Sequence, residues 1–434
     1  MNSVLHSSAA TADARGVYVG KRWLRNLVTF LMVSGPGLIV MEADNDAGAV
    51  STYVQAGAQY GPRLLWLLVI LLPVTYFVQE MVVRLGIATG QGHAAMIYSR
   101  FGKGWGLFSL IDLLLLNFLT LVTEFAAIAL ALEHFNVRPL LGVPLAAMGL
   151  TLLVLTGSYR RWERIMVFLC ALDLGWFALA YWTHPAVSDM ALLSTMPPGG
   201  VTANLVFLVI GIVGTTIAPW QLFFQQSCIA DKRLRFADLK WARLDTFIGA
   251  AFTVIVAGCM MLAGTAAYRR GIPFSDPAQM AAALSESMGP WFRNGMLLLM
   301  INAAVLGTTA ISLSSAWAYG EVRGWPHSLQ TSFKDAPGFY GLYVLCVGSA
   351  AGIVLIPRAP LQLIILSVQV LAGIMLPSAI IFLQLLLNDK EMLGERFANK
   401  PWNSAVNWTI IVVLFGLSLL LAVQVVMPGL FPAE

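Results

Sequence analysis

Three carboxylates lie within five residues of one another in a segment that is otherwise apolar. Glu42, Asp44 and Asp46 belong to an apolar run from about Val28 to Val54, which is long enough to cross a bilayer. Each acid at the centre of a membrane costs about 2.5–3.5 kcal/mol on insertion scales, so three of them require a compensating partner. A bound cation is the simplest partner. The alternative interpretation is a short polar loop at the membrane surface.

Helix-breaking residues accompany these acids and recur in one other apolar run. Gly48 lies two residues after Asp46, and the run at about 203–229 contains Pro219, which removes a backbone donor from the middle of a helix. Because the two breaks lie five spans apart, they predict two inverted five-helix repeats with the substrate between broken helices 1 and 6. Unwound carbonyls at such breaks coordinate cations. For the second run alone, an ordinary proline kink is the alternative.

The elements that must position these residues are membrane-spanning helices. Of the 434 residues, 58% are hydrophobic and only 11% are charged, whereas soluble domains carry roughly 25% charged residues. The sequence therefore predicts an all-α polytopic membrane protein embedded in a lipid bilayer. Eleven apolar runs predict eleven spans, at about 28–55, 64–86, 105–132, 140–156, 164–183, 203–229, 245–267, 290–318, 339–356, 361–387 and 406–427.

The spans group into a predicted domain organisation. A cytoplasmic N-terminal tail covers 1–24, the first repeat covers 25–183, the second covers 203–387, and an additional eleventh span covers 406–427. Twenty of the 26 Lys and Arg residues fall in alternate loops. This bias predicts a multi-pass cell membrane protein, in bacteria an inner-membrane one, with the N-terminus in the cytoplasm and the C-terminus outside. We expect no nucleic-acid partner, because the basic residues are spread through the loops. We also expect a monomer.

The segment around the acids resembles a known family signature. Gly35-Pro36-Gly37, followed after eight residues by Asp46-Ala47-Gly48-Ala49, is similar to the Gly-Pro-Gly and Asp-Pro-Gly-Asn motifs of the natural resistance-associated macrophage protein (Nramp) family. Its members are proton-coupled importers of manganese and iron, so the resemblance implies a leucine-transporter-type fold and alternating access. The similarity extends through Gln55-Ala56-Gly57-Ala58, Leu64-Leu65-Trp66, Gln79, Arg84-Leu85-Gly86, Ala88-Thr89-Gly90, Arg161-Trp162-Glu163, Leu244-Asp245-Thr246 and Leu376-Pro377.

The resemblance also implies a set of metal ligands. In the family an Asp and an Asn of the first span and a Met of the sixth bind the metal, together with two backbone carbonyls. These positions correspond to Asp46, Ala49 and Ala218, with the carbonyls of Ala43 and Thr215. Loss of the soft thioether ligand removes the preference for later transition metals, and the extra space suits a partly hydrated Mg²⁺. The chain thus looks most like the Nramp-related magnesium transporter branch, with Mn²⁺ as a second substrate and no resident cofactor.

The groups that would carry a co-transported proton are largely replaced. The family's sixth-span His corresponds to Trp220, and its third-span acids align with Leu119 and Val122. We therefore expect transport without proton coupling. Asp112 and Glu124 remain nearby and are interpreted as buried helix–helix contacts, although either could carry protons by another route.

Several further polar residues have two interpretations each. Glu42 and Asp44 either raise the negative field along the path by which the ion enters or face an open vestibule. Asn45, Gln221 and Gln369 either hold the ion's hydration shell or pack between helices. Asp173 is interpreted as a helix–helix contact and Asp245 as an ion pair or helix cap. Four cysteines without metal-site spacing are interpreted as packing residues, at Cys170, Cys228, Cys259 and Cys346.

Three alternative functions remain beside a Mg²⁺ importer. A proton-coupled Mn²⁺ or Fe²⁺ transporter of the parent family is the nearest. A sodium-coupled transporter of amino acids or amines would share the broken-helix architecture. A membrane-embedded metalloenzyme is disfavoured, because the sequence contains no HExxH motif and no clustered histidines within the spans. We therefore expect no enzymatic activity.

Overall fold

The computed structural model describes residues 22–184, 192, 195, 200–356 and 360–426. Within these residues the chain is helical and contains no β-strand. Two short 3₁₀ turns lie at Gly61–Leu64 and Phe236–Asp238. The helices are α1 (Arg22–Val33), α2 (Pro36–Ala43), α3 (Ala47–Tyr60), α4 (Leu65–Thr89), α5 (His93–His134), α6 (Pro139–Val154), α7 (Tyr159–Leu172), α8 (Gly175–Trp182), α9 (Ala203–Thr216), α10 (Pro219–Lys232), α11 (Leu239–Arg270), α12 (Pro277–Met288), α13 (Pro290–Arg323), α14 (Pro337–Val354), α15 (Leu361–Asn388), α16 (Lys390–Phe397) and α17 (Pro401–Val426).

The helices agree with the predicted spans. The described part of the chain holds nine helical segments long and apolar enough to cross a membrane, or up to ten if α1 and α2 are one bent span. The apolar helix α6 is shorter, at 16 residues, and coincides with the fourth predicted run. The N-terminal tail was predicted to cover 1–24, but α1 begins at Arg22 and so includes the last residues of that range. Residues 1–21 lie outside the described residues. The repeat boundaries stay a prediction.

The first span is interrupted twice. A bend of 48° separates α1 from α2, where Gly35 has a φ of 132° that favours glycine. A second interruption separates Ala43 from Ala47, and only this one contains the acids. The backbone N–H groups of Asp44 and Asn45 donate to the last turn of α2, and Asp46 is extended and caps α3. Gly48 therefore lies in the first turn of α3, after the break.

The sixth span is broken between α9 and α10. Ile217 is not helical, Ala218 is extended, and Pro219 occupies the first position of α10. A proline is favoured at this position because the first N–H groups of a helix have no intrahelical acceptor. The proline thus begins a new helix. The span therefore consists of two separate helices and is not a single helix with a proline kink.

Glycines allow the broken helices to approach their neighbours closely. A Cβ atom on Gly57 of α3 would lie 1.9 Å from the carbonyl oxygen of Met261 in α11, and one on Gly264 would lie 2.2 Å from that of Val54. A Cβ on Gly214 of α9 would lie 2.1 Å from the carbonyl oxygen of Gln369 in α15. Small residues at membrane helix interfaces permit such backbone contact. The two broken helices consequently occupy the buried centre of the bundle.

The outer surface of the bundle is apolar. Val69, Leu140 and Val412 are 68%, 69% and 66% exposed, respectively, on three different helices. Apolar surface of this extent is rare on soluble monomers and is expected where acyl chains cover the protein. This surface agrees with the predicted membrane location.

Candidate metal ion site

Asp46 is oriented by the helix that it caps. Its Oδ1 accepts a hydrogen bond from the backbone N–H of Ala49 at 2.8 Å, and the residue is 2% exposed. The N-terminal end of α3 stabilises the negative charge through its free N–H groups. The cap therefore fixes the orientation of the carboxyl group.

The two backbone carbonyls predicted as ligands are freed by the local sequence. In a continuous helix the Ala43 carbonyl would accept from the N–H of Ala47, but that N–H donates to Oε2 of Glu124 at 3.1 Å. The Thr215 carbonyl would accept from the residue four positions later, which is Pro219 and has no N–H. Each break therefore contributes a carbonyl without its helical donor.

The two breaks lie close to the same neighbour. Gln369 of α15 contacts Gly214 of α9 through its backbone, and a Cβ on Gly48 would lie 1.6 Å from its Nε2. The hydroxyl groups of Tyr53 in α3 and Thr216 in α9 share a hydrogen bond of 2.7 Å. These contacts bring the start of α3 and the end of α9 together.

Glu124 lies beside the first break, whereas the sequence interpretation favoured a helix–helix contact and kept proton transfer as the alternative. Besides bonding to Ala47, its carboxyl group interacts with that of Asp46. Leu119, aligned with a family acid, instead lines an outer groove with Leu363 and Leu371. Val122, the other aligned position, is a buried apolar core residue. The rotation of α5 about its axis decides which of its residues face the break. The sequence signal that could have identified Glu124 is the presence of an acid within a membrane span.

Ala49 and Ala218 offer no side-chain ligand. Ala49 supplies only the N–H that holds Asp46, and Ala218 is an extended residue that is 5% exposed. Within the described ranges, no group of three or more His, Cys, Asp or Glu side chains is arranged to hold a metal ion. An ion bound here would have to keep part of its hydration shell.

Unpartnered polar atoms surround the breaks and suit such a hydration shell. Buried water in proteins bonds to polar groups that otherwise lack partners. Rotation of a terminal amide of Gln221 or Gln369 by 180° presents its oxygen in place of its nitrogen. The buried atoms without a partner among the described residues include Asp44 Oδ2, Asn45 Oδ1, Glu124 Oε1, Thr215 Oγ1, Gln221 Nε2 and Gln369 Nε2.

Several of these side chains also have fixed contacts. Gln221 Oε1 accepts from Gln79 Nε2 at 2.6 Å, and Asn45 Nδ2 donates to the Thr253 carbonyl at 3.1 Å. Glu42 and Asp44 are 0% and 2% exposed, so neither faces an open vestibule in this conformation. Gln221 and Asn45 thus each have one packed atom and one atom without a partner, so the packing is observed and a role in the ion's hydration shell stays a prediction.

Trp220 is a buried residue of the first turn of α10. Its carbonyl accepts from Ser314 Oγ at 3.1 Å, and its ring meets that of Phe224 edge-on at 6.0 Å. An indole does not titrate in water, so this position cannot exchange a proton. His93 is a buried histidine near the start of α5, where Nδ1 contacts Gln226 Oε1 at 3.0 Å.

Asp245 caps the N-terminal end of α2 from a distant part of the chain. Its Oδ2 accepts from the N–H groups of Gly35 and Gly37 at 3.2 and 2.7 Å. The prediction of a cap was correct in kind, but Asp245 lies within α11 and caps α2 instead of its own helix. Beside it, Lys232 Nζ donates to the Ser34 carbonyl and to Glu163 Oε1, both at 2.7 Å.

The comparisons agree with this architecture. Residues 37–424 match the sequence profile described as natural resistance-associated macrophage protein-like. The divalent metal cation transporter MntH of Staphylococcus aureus is 26% identical over 429 residues, which cover 92% of each chain. A crystal structure of the Eremococcus coleocola manganese transporter with an aromatic bis-isothiourea substituted compound is similar, with a TM-score of 0.78 at 20% identity over 93% of this chain and 88% of that chain.

A more distant structure shares the fold alone. MhsT in complex with L-phenylalanine gives a TM-score of 0.59 at 14% identity, covering 90% of this chain and 98% of that chain. The predicted leucine-transporter-type fold is therefore confirmed. Because the family profile covers most of the chain, the enzyme hypothesis is also set aside. The chain belongs to the natural resistance-associated macrophage protein family of membrane transporters.

Proposed function

We propose that this protein imports divalent metal ions by alternating access, with Mg²⁺ as its main substrate and Mn²⁺ as a second one. The observation that carries the proposal is the donor set at the two breaks. It consists of the carboxylate of Asp46 and the carbonyls of Ala43 and Thr215, with alanine at position 218. Oxygen ligands suit Mg²⁺ and Mn²⁺, whereas a sulfur ligand would favour later transition metals.

The hydration of Mg²⁺ supports the same proposal. Mg²⁺ gives up its waters reluctantly and is usually held by one or two carboxylates with several waters retained at about 2.0–2.1 Å. The site offers one capped carboxylate in Asp46, two methyl groups at positions 49 and 218, and a set of unpartnered polar atoms around them. A partly hydrated ion fits such a site better than a fully dehydrated one.

The proposed transport is uncoupled from protons. Trp220 cannot titrate, and the membrane potential alone is a sufficient driving force. A divalent ion crossing 100 mV gains about 4.6 kcal/mol, which supports accumulation on the order of a thousandfold at about 1.4 kcal/mol per decade. Glu124, whose carboxyl group interacts with that of Asp46, is the group through which proton coupling would act if it occurred.

A transport assay in liposomes tests both parts of this proposal. Purified protein is reconstituted with a metal-sensitive dye in one preparation and a pH dye in another, under a negative-inside potential. We expect Mg²⁺ uptake to compete with Mn²⁺ uptake at concentrations within roughly tenfold of each other, without acidification of the lumen. Mn²⁺ uptake that millimolar Mg²⁺ leaves unchanged would contradict the magnesium assignment. Metal-dependent acidification that is lost in Glu124→Gln would support the proton-coupled alternative.

A double substitution tests the ligand assignment directly. Ala218→Met with Ala49→Asn restores the two family ligands and should shift preference toward Mn²⁺ by about tenfold or more. A matched control is Ala267→Met, since Ala267 is a buried alanine of α11. If the control shifts the preference equally, a general packing effect is responsible.

The proposal also includes the arrangement in the membrane. Support comes from the Lys and Arg bias, which favours a cytoplasmic N-terminus and an extracytoplasmic C-terminus. Protease accessibility of tags at each end, in oriented membrane vesicles, tests this topology. A tag on the N-terminus that is cleaved from outside intact cells would reverse it.

A further inference from the structure

Two arginine side chains share one glutamate near one end of the bundle. Glu80 of α4 accepts from Arg84 Nη2 at 3.1 Å, and from Nε and Nη2 of Arg243 in α11 at 2.9 and 2.5 Å. The side chains of Glu80 and Arg84 are 9% and 6% exposed, whereas that of Arg243 is 41% exposed. Because two cations share one anion, this cluster keeps one positive charge without a counterion, and its accessible part is Arg243.

The buried arginine fixes the position of the exposed one. Arg84 Nη1 donates to the Phe397 carbonyl at 3.1 Å, and Nη2 donates to Asn399 Oδ1 at 2.8 Å, so the loop between α16 and α17 holds its guanidinium group. Arg84 in turn holds Glu80, and Glu80 orients Arg243 through two N–H groups. The remaining nitrogen of Arg243, Nη1, has no hydrogen-bond partner among the described residues and can donate to a ligand.

A second exposed cation lies on the same face of α11. Lys240 is three positions before Arg243, which places the two side chains next to each other on the helix. Its Nζ lies 5.2 Å from the centre of the Trp241 ring, and none of the salt bridges within the described ranges includes Lys240. Asp238, the acid nearest to it in sequence, is only 7% exposed. This end of α11 thus presents two cations at the surface.

A strip of aromatic rings continues from these cations along the outer surface of the bundle. Phe247 lies one turn after Arg243, and its ring meets that of Tyr76 in α4 edge-on at 5.5 Å. Tyr76 lies 5.7 Å from Phe77, whose ring meets that of Trp402 in α17 at 6.1 Å. Phe247 and Trp402 are 48% and 55% exposed. Exposed aromatic rings beside basic side chains are typical of the boundary between the acyl chains and the headgroups of a bilayer.

We propose that this surface binds one anionic phospholipid. Its residues are Lys240, Arg243, Tyr76, Phe77, Phe247 and Trp402. The planar N–H fork of an arginine suits a phosphate group, and a neighbouring lysine neutralises its charge. The aromatic strip beside them suits the acyl chains, so the surface offers sites for both parts of a phospholipid. A soluble anion would use the cations alone and leave the strip without a partner.

The net charge of the surface distinguishes between classes of phospholipid. A zwitterionic lipid carries its own cation beside the phosphate, whereas Lys240 and the Glu80 cluster together carry two positive charges without a counterion among the described residues. An anionic headgroup therefore complements the surface better. The bound lipid contacts α4, α11 and α17, so it stabilises the packing of α17 against the bundle and takes no part in ion binding.

Thermal unfolding in detergent tests this site without requiring transport. A ligand that binds only the folded protein raises its unfolding temperature. Phosphatidylglycerol should therefore raise this temperature more than phosphatidylcholine with the same acyl chains. In Arg243→Gln the apparent affinity for phosphatidylglycerol should fall about tenfold or more, because a hydrogen bond to a charged group is lost. Glu80 keeps Arg84 as a partner in this variant, so the fold should survive.

A matched control removes the same charge elsewhere. Arg323 is an exposed arginine of α13 whose Cζ lies 5.5 Å from the centre of the Tyr319 ring, and Arg323→Gln should keep the full difference between the two lipids. Lys240→Gln is a second test variant, since Lys240 lies outside the Glu80 cluster and its loss does not disturb the buried bonds. Native mass spectrometry should show one retained phosphatidylglycerol on the wild type and a lower occupancy on Arg243→Gln and Lys240→Gln.

Three results would overturn the proposal. Equal stabilisation of the wild type by both lipids would show that the headgroup charge is not recognised. An equal loss of affinity in Arg323→Gln would assign the effect to the general surface charge. Stabilisation by inorganic phosphate that matches that by phosphatidylglycerol at the same concentration would assign the cations to a soluble anion. Failure of the magnesium assignment in the transport assay would leave all these measurements intact.

Discussion

Asp245→Asn should loosen α2, because the Asp245 carboxylate, which belongs to α11, holds the N-terminal end of α2. The wild-type Oδ2 accepts from Gly35 at 3.2 Å and from Gly37 at 2.7 Å, and the residue is 3% exposed. A hydrogen bond to a charged group contributes about 1.5–3 kcal/mol, roughly twice the value for a neutral one. The asparagine oxygen can keep one neutral bond, so we expect a loss of about 1–2 kcal/mol, or about 5–30-fold in the local opening equilibrium.

Hydrogen–deuterium exchange in detergent measures this opening. The amides of residues 35–43 should exchange about 5–30-fold faster in the variant, while those of α15 remain unchanged. Asp276→Asn is a matched control, since Asp276 caps α12 by accepting from the Gln279 N–H at 2.8 Å. Unchanged exchange at residues 35–43, or equal acceleration by the control, would refute the assignment of Asp245 as the anchor of α2.

Two further predictions concern the start of α3. Asp46→Asn keeps an oxygen that can cap α3 but removes the charge, whereas Asp46→Ala removes both the oxygen and the charge. We expect both variants to purify folded and to lose metal uptake. Only Asp46→Ala should also lose about 1 kcal/mol of stability, because it lacks the cap. Full uptake by Asp46→Asn in liposomes would show that the carboxylate is not a ligand. Gly48→Ala places a methyl group 1.6 Å from Gln369 Nε2, which must move, so we expect reduced uptake and a loss of about 1–3 kcal/mol in thermal unfolding. Gly416→Ala, where nothing lies within 4 Å, is its control, and equal behaviour of the two variants would contradict the close contact.

The approximate positions of the spans and of both breaks could be predicted from sequence, because both depend on local properties. Apolar length determines which segments cross the bilayer, and the acids at 42–46 and the proline at 219 interrupt helices wherever they pack. The freeing of the Thr215 carbonyl follows from the same local rule, since a helical carbonyl depends on the residue four positions later.

The partners of the acids were decided only by tertiary structure. Asp245 and Gly37 are 208 residues apart in the chain, and Glu124 and Ala47 are 77 apart. Which face of α5 or α11 meets the break depends on the rotation of each helix within the bundle, and an apolar span has too weak a pattern to specify that rotation. An acid such as Asp173 is therefore visible in the sequence as a buried charge, but its hydrogen bond with Asn302, 129 residues away, arises only when two spans pack together.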